Sequence, residues 1–336
     1  MNPYERVVKR LRGEPVDRPP NFDIMMQFAA HYIGQPLSRY YQDYHVLCDA
    51  NFAVQQDFSL DILQAISDPY REAHDWGADI VFPEDGLPVC EHPPLADDPD
   101  IRRLHPPLQP GRRMTDRLEA IRLFRQRAGG EVPIMGWVEG ALAEAADLRG
   151  VSSLMLDFYD RPGWLEELLE KCAEVEIAFA HAQVEAGADI IGLGDAIASQ
   201  VSPALYEQYA LPYEQRIFAA VHQMGALARL HICGNTTKIL PLMATSGADI
   251  IDIDWMVDMA AAAAAFGDKA VCGNFDPLAI MLRGTPEQVR QATARCVELG
   301  GTRSFSAAGC EIPDETPHEN LLAQADTLRK IYLTQS

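Results

Sequence analysis

Three stretches of the chain repeat one pattern, a helical spacing of apolar residues that ends in Gly-Ala-Asp and runs at once into β-branched residues. They are Trp76-Gly-Ala-Asp-Ile-Val-Phe, Ala186-Gly-Ala-Asp-Ile-Ile-Gly and Ser246-Gly-Ala-Asp-Ile-Ile-Asp. Glycine suits the left-handed residue just past a helix end, and a continuous apolar run suits a strand buried on both faces. Runs of similar character at 22–26, 132–138, 226–232, 269–273 and 303–307 bring the expected strands to eight. Helical patterns lie between them. The segment 162–185 places Trp164, Leu165, Leu168, Leu169 and Cys172 on one face, and 286–299 opens with the start signal Thr285-Pro286-Glu287. The alanine run 260–265 reads as a short helix packed against the strands, since alanine is the best helix former.

Parallel strands need helical crossovers, so eight strands alternating with helices predict a (β/α)8 TIM barrel. One such domain accounts for residues 1–336, with an N-terminal helical extension and a proline-rich excursion around 91–113. In barrels of this kind chemistry gathers just beyond the strands' C-terminal ends. Those positions are polar: Glu84 and Asp85, Glu139, Asp195, His231 and Cys233, Asp254, Asn274 and Asp276, and Cys310.

His231 and Cys233 stand two apart, so an extended backbone would point both to one side. A lone His-x-Cys says little. Cys310 adds a third soft ligand beyond the last expected strand, after the flexible turn Ala307-Ala308-Gly309. One imidazole and two thiolates favour Zn2+ and leave a position for substrate. The other cysteines serve as controls: Cys48, Cys172 and Cys296 fall in helical patterns, Cys272 lies inside a strand, and Cys90 sits beside Glu91 and His92 as a second candidate corner. His31, His45, His74, His92, His105, His181, His222 and His318 show no comparable spacing and read as surface or helix residues.

Composition narrows the partners. Hydrophobic residues make up 48% of the 336 residues, yet no apolar run approaches the roughly 20 residues of a membrane-spanning helix. The opening Met1 to Pro15 is charged and amphipathic, without the apolar core of a secretory signal, and seven scattered cysteines suit reduced thiols. A cytoplasmic location is expected, with no membrane partner. A formal net charge of −21 without an extended basic stripe argues against nucleic acid. The acidity fits solubility, or an acidic face for a protein partner.

The segments Gly194-Asp-Ala, Pro203 to Pro212, His231-Ile-Cys-Gly, Gly247 to Trp255, Gly273-Asn-Phe-Asp-Pro and Gly309-Cys-Glu-Ile-Pro-Asp-Glu-Thr-Pro-His-Glu-Asn resemble the uroporphyrinogen decarboxylase superfamily, from Glu14-Pro-Val-Asp-Arg-Pro-Pro onward. The decarboxylases carry Arg-Gln-Ala-Gly-Arg where this chain has Met25-Met26-Gln27-Phe28, and Gly-His-Gly where it has Gly309-Cys310-Glu311. Both departures are similar to the corrinoid-dependent methyltransferase branch, in which the cysteine is the last zinc ligand.

That resemblance implies a TIM barrel holding zinc through His231, Cys233 and Cys310. The function it implies is transfer of a methyl group between a corrinoid (cobalamin) presented by a partner protein and a small thiol or methylated compound. Zinc would keep a substrate thiol deprotonated, since a free thiol titrates near 8.5, or would polarise the heteroatom of a methyl ether. Asp254 stands where related methionine synthases place an acidic ligand; it is a candidate fourth ligand or a loop cap. Glu139 is a candidate proton donor, displaced ligand or substrate contact, with a structural role as the alternative. Asp85, Asp195 and Asn274 are placed as substrate contacts, the last two also suiting a hydrogen-bonding role around the barrel mouth. No basic residue is clearly placed at a strand end; Arg112 and Arg113 suit either a substrate anion or the surface. A cofactor-free decarboxylase and a non-catalytic corrinoid-binding module are the competing readings.

Overall fold

A computed structural model describes residues 1–97 and 99–333. In chain order its strands are β1 (Leu63–Gln64), β2 (Asp79–Val81), β3 (Val89–His92), β4 (Ile134–Glu139), β5 (Ile190–Gly194), β6 (Leu227–His231), β7 (Ile250–Asp252), β8 (Ala270–Phe275) and β9 (Ser304–Ala308). Seven of them form one parallel sheet in the order β1-β4-β5-β6-β7-β8-β9. The sheet curls so that the segment before β1 reaches both edges: Asn21 makes a parallel bridge to Ser306 on β9, and its carbonyl accepts from the Asp61 amide at 2.9 Å.

Two of the expected strands are corrected by this arrangement. The run 22–26 forms no strand beyond the bridge at Asn21. Two prolines precede it and offer no N–H, the Asp23 carbonyl accepts from the Gln64 side chain at 2.7 Å, and the Ile24 carbonyl accepts from the Ile312 amide at 2.8 Å. The first Gly-Ala-Asp echo does lead into a strand, but β2 pairs antiparallel with β3 outside the main sheet. Its Asp79 and Val81 are exposed on either side of buried Ile80, whereas every residue of β5 is buried. The place next to β4 is taken by β1, whose Gln64 breaks the apolar signature and is held by the Asn51 side chain at 3.1 Å.

The helices agree more closely. Pro162–Ala186 ends at Gly187 with φ 117°, Pro286–Gly300 carries a full capping box at Thr285 and Gln288, and Met259–Phe266 covers the alanine run. The proline-rich stretch begins inside β3, contains the helical turn Ile101–Arg103, and ends as the helix Arg112–Ala128 begins. Trp164 ties it down by donating to the Pro99 carbonyl at 2.7 Å. Among the described residues no helix is long and apolar enough to cross a membrane.

Side chains facing into the curled sheet make a core of their own, including Phe22, Ile62, Met135, Ile250, Cys272 and Phe305. Phe22 and Phe305 meet edge to face with centroids 4.8 Å apart. The first helix, Pro3–Leu11, presses Val7 into this core from below, anchored by Arg10 donating to the Gly301 carbonyl at 2.8 Å. The opposite end of the sheet, where β4, β5, β6 and β9 finish, is left to the site.

Candidate metal centre

At that end β6 finishes at His231, and Cys233 follows two residues on, before the left-handed turn at Gly234 (φ 91°). The loop after β9 brings Cys310 across. His231 Nε2 lies 2.9 Å from Cys233 Sγ, the two sulfurs are 3.4 Å apart, and Cys310 Sγ is 3.8 Å from Nε2. Among the described residues these three form the group able to converge on one metal ion, their donor atoms all within 4.8 Å of one another. Close approach of two loops makes it possible: a Cβ on Gly309 would stand 2.5 Å from the Trp255 backbone nitrogen, so glycine is required beside Cys310.

The donor set fits a soft divalent ion. His231 Nδ1 is paired with Asp252 Oδ2 at 2.8 Å, which fixes the ring and leaves Nε2 free to ligate. Asp252 is held from behind by Arg229, whose Nη2 lies 2.8 Å from Oδ2. The two thiols share a proton: the hydrogen bond from Cys233, with help from the nearby imidazole, draws the Cys310 thiol down to about 4, while the same bond and burial hold Cys233 above the ordinary thiol range. Among the described residues Cys90 joins no such group, and Cys48, Cys172, Cys272 and Cys296 are buried.

Beside the three ligands lies a cavity of about 170 Å³, walled by Ile24, Met26, Ile66, Trp137, Glu139 and Arg71 among others. Glu139 ends β4 and accepts from Arg71 Nη2 at 2.8 Å. Burial pushes its carboxyl up to about 7 against the pull of Arg71, with Glu72 adding to the rise. Arg71 was invisible in the sequence reading because it follows β1, the strand whose place that reading gave to β2. Arg113 is buried behind the cavity, with Nη2 2.6 Å from the Asp68 carboxylate, while Arg112 is exposed. Glu311, next to Cys310, also lines the cavity and accepts from the Gln27 amide at 2.9 Å.

The remaining expected residues fall around the centre instead of in the cavity wall. Asp254 clamps the loop carrying Cys233, its two oxygens accepting from the Gly234 and Trp255 amides at 2.7 Å each. Asn274 holds the turn after β7, donating to the carbonyls of Val257 at 2.6 Å and Asp254 at 3.1 Å. Asp195 is buried against Gly140, and burial holds its carboxyl well above the usual range. Asp85 is exposed on the loop between β2 and β3, where Oδ1 meets His31 Nε2 and the Leu37 amide at 3.2 Å each.

Two outcomes follow from this wiring. Asp252→Asn should weaken metal binding about 10–100-fold, read by competition with a chelator, because Nδ1 loses a charged partner. The buried carboxyls give an unusual pH dependence. Glu139 and Glu214 are raised from an ordinary 4.5 to about 7 by burial, and burial raises Glu72, Glu144 and Glu176 as well. The folded chain therefore keeps protons that the unfolded chain releases, and stability falls as the pH rises from about 4.5 through about 7. The urea midpoint should drop between pH 5.5 and 7.5; a flat or rising midpoint would contradict these assignments.

A curled parallel sheet with a His-Cys-Cys cluster at the strands' C-terminal ends defines a barrel-type protein with a mouth-facing candidate metal site. The chain belongs to the uroporphyrinogen decarboxylase family, whose model matches residues 2–331. It is 34% identical over 206 residues to a methylcobamide:CoM methyltransferase from Methanosarcina mazei, a stretch covering 61% of this chain and 60% of that relative's length. It is 29% identical over 343 residues to a uroporphyrinogen decarboxylase from Nostoc punctiforme, covering 97% and 96% of the two chains. Among solved structures, a methyltransferase from Methanosarcina mazei superposes with a TM-score of 0.90 at 26% identity, covering 99% of both chains.

Proposed function

We propose that this protein moves a methyl group between a corrinoid carried by a partner protein and a small thiol or methylated compound, with zinc held by His231, Cys233 and Cys310. The observation that carries this reading is the convergence of one imidazole nitrogen and two sulfurs within 4.8 Å, with the opposite nitrogen of the imidazole already committed to Asp252. Full-length similarity to a methyltransferase supports it. On this reading the segment around Asn21 completes an eightfold barrel between β9 and β1, and the chain works as a single domain.

Bound there, zinc supplies Lewis acidity that keeps a thiol deprotonated at neutral pH or polarises the heteroatom of a methylated compound. The protein's own groups do the rest. Asp252 and Arg229 hold the His231 ring in one orientation. Ile24, Met26, Ile66 and Trp137 keep water from the small molecule. Glu139, titrating near neutrality, exchanges a proton with it, and the fourth ligand position is left to substrate because Asp254 is occupied by two amides. Exposed Trp255 and Met256, beside the Cys310 loop, offer the partner an apolar rim. Seven free thiols suit a reducing cytoplasm.

A decarboxylase would need room and cations for a large polyacid. The cavity of about 170 Å³ lies below the roughly 300–1,000 Å³ that accommodates drug-sized ligands, and Met26 lines it where the decarboxylases carry their arginine-rich segment. The test is to determine the metal content of the purified protein, then follow methylcobalamin demethylation with a panel of thiols and methylation of cob(I)alamin by methyl ethers. About one zinc per chain and turnover in at least one direction is the expected result; a metal-free, inactive protein overturns it.

A further inference from the structure

We propose that the small molecule admitted to this cavity is uncharged or cationic, and that a sulfonated or carboxylated one is rejected; the inference rests on the methyl-transfer reading above. Besides the three metal ligands, the charged side chains in the wall are Asp68, Glu139 and Glu311 against a single cation, Arg71. That cation is closed off. Its side chain has no exposed surface, Nη1 donates to the Asp68 carbonyl, and Nη2 donates to Glu139 at 2.8 Å while lying 3.4 Å from Glu72.

Asp68 is matched from outside the cavity by Arg113 at 2.6 Å, so neither group is available to an incoming anion. Zinc with two thiolates would be neutral overall, so beyond the donor atom it ligates it would add no charge to draw in a second, anionic group. What an incoming molecule meets is the carboxyl of Glu139, 9% of whose side chain is exposed, and that of half-buried Glu311. An anion could gain Arg71 only by displacing Glu139 from it, leaving a buried carboxylate without its partner. The rest of the wall, Ile24, Met26, Ile66, Pro69 and Trp137, suits a compact molecule with an apolar body.

Three thiols of one carbon skeleton test this: 2-mercaptoethanol, 2-mercaptoethylamine and 2-mercaptoethanesulfonate. Binding to the zinc-loaded full chain is followed by calorimetry at pH 8, and kcat/KM is measured with methylcobalamin. The neutral and cationic thiols should exceed the sulfonate by roughly tenfold or more in both measurements, as expected for a like charge placed a few ångströms away. Glu139→Gln should narrow that gap by roughly tenfold, because it removes one carboxylate from the wall and leaves the charge of Arg71 less fully compensated. This is a ratio within one variant, so lowered stability does not imitate it. Tightest binding by the sulfonate, or a gap unchanged in Glu139→Gln, overturns the charge assignment with the methyl-transfer reading intact. Binding of none of the three overturns this inference, while the methyl-transfer reading then stands or falls on the methyl ether arm of its own test.

Discussion

Cys310→Ala should strip the protein of its metal and reduce methyl transfer by more than about 100-fold, the upper end of what losing even an outer-shell partner costs a metal site. Cys310 reaches the centre from the loop after β9, while His231 and Cys233 come from the end of β6, so the substitution removes the one ligand that ties these distant segments together. The two remaining donors would hold zinc weakly, since zinc sites that turn over substrate generally keep three protein ligands. The fold should persist, because Cys310 is only partly buried and the Asn21–Ser306 bridge does not depend on it. Zinc per chain, circular dichroism and methylcobalamin turnover measured on one preparation separate these effects. Zinc loss with wild-type turnover would remove the centre from the mechanism, and wild-type zinc content would remove Cys310 from the ligand set.

Arg229→Met should cost stability on the order of 3–5 kcal/mol, the usual consequence of removing one partner from a buried ion pair. Arg229 lies inside the curled sheet, 1% exposed, with Nε 2.9 Å and 3.0 Å from the two Asp252 oxygens and its guanidinium over the Phe22 ring. Without it Asp252 would be a carboxylate in an apolar core, with His231 its remaining partner, and Asp23, already raised to about 7 by burial, would lose a compensating charge. The loss should therefore reach the metal centre as well, as weaker zinc retention through a poorly held His231 ring. Urea unfolding and chelator competition read the two consequences. In the double variant Arg229→Met with Asp252→Asn, part of the stability should return while zinc retention stays low. Full recovery of both would mean that Arg229 does not position the ligand.

The candidate ligands were legible because their signal is local. His231 and Cys233 share two-residue spacing at a strand end, and Cys310 follows a small-residue turn after the last apolar run. The Gly-Ala-Asp joints marked β5 and β7 for the same reason, since the helix stop and the buried run lie side by side in the chain. The same joint misled at 76–82, where it feeds an antiparallel ribbon, because which edge a strand joins is set by its neighbours and not by its own residues.

By itself, then, the sequence determined the helices at 162–185, 260–265 and 286–299, most of the parallel strands, and the spacing of a candidate soft three-ligand centre, all written over a few residues at a time. Only the tertiary structure decided that Leu63–Gln64 takes the place beside β4, that Arg71 behind it is neutralised by Glu139, and that Asp252 rather than Asp254 stands against His231. Asp252 and Asp254 are both acids at the end of one strand. Alternation along β7 turns Asp252 inward, toward Arg229 and the imidazole, whereas Asp254 lies past the strand end and meets loop amides. Partners brought together across 21 residues in one case and 68 in the other have no local signature, because pairing a buried charge is a property of the closed core.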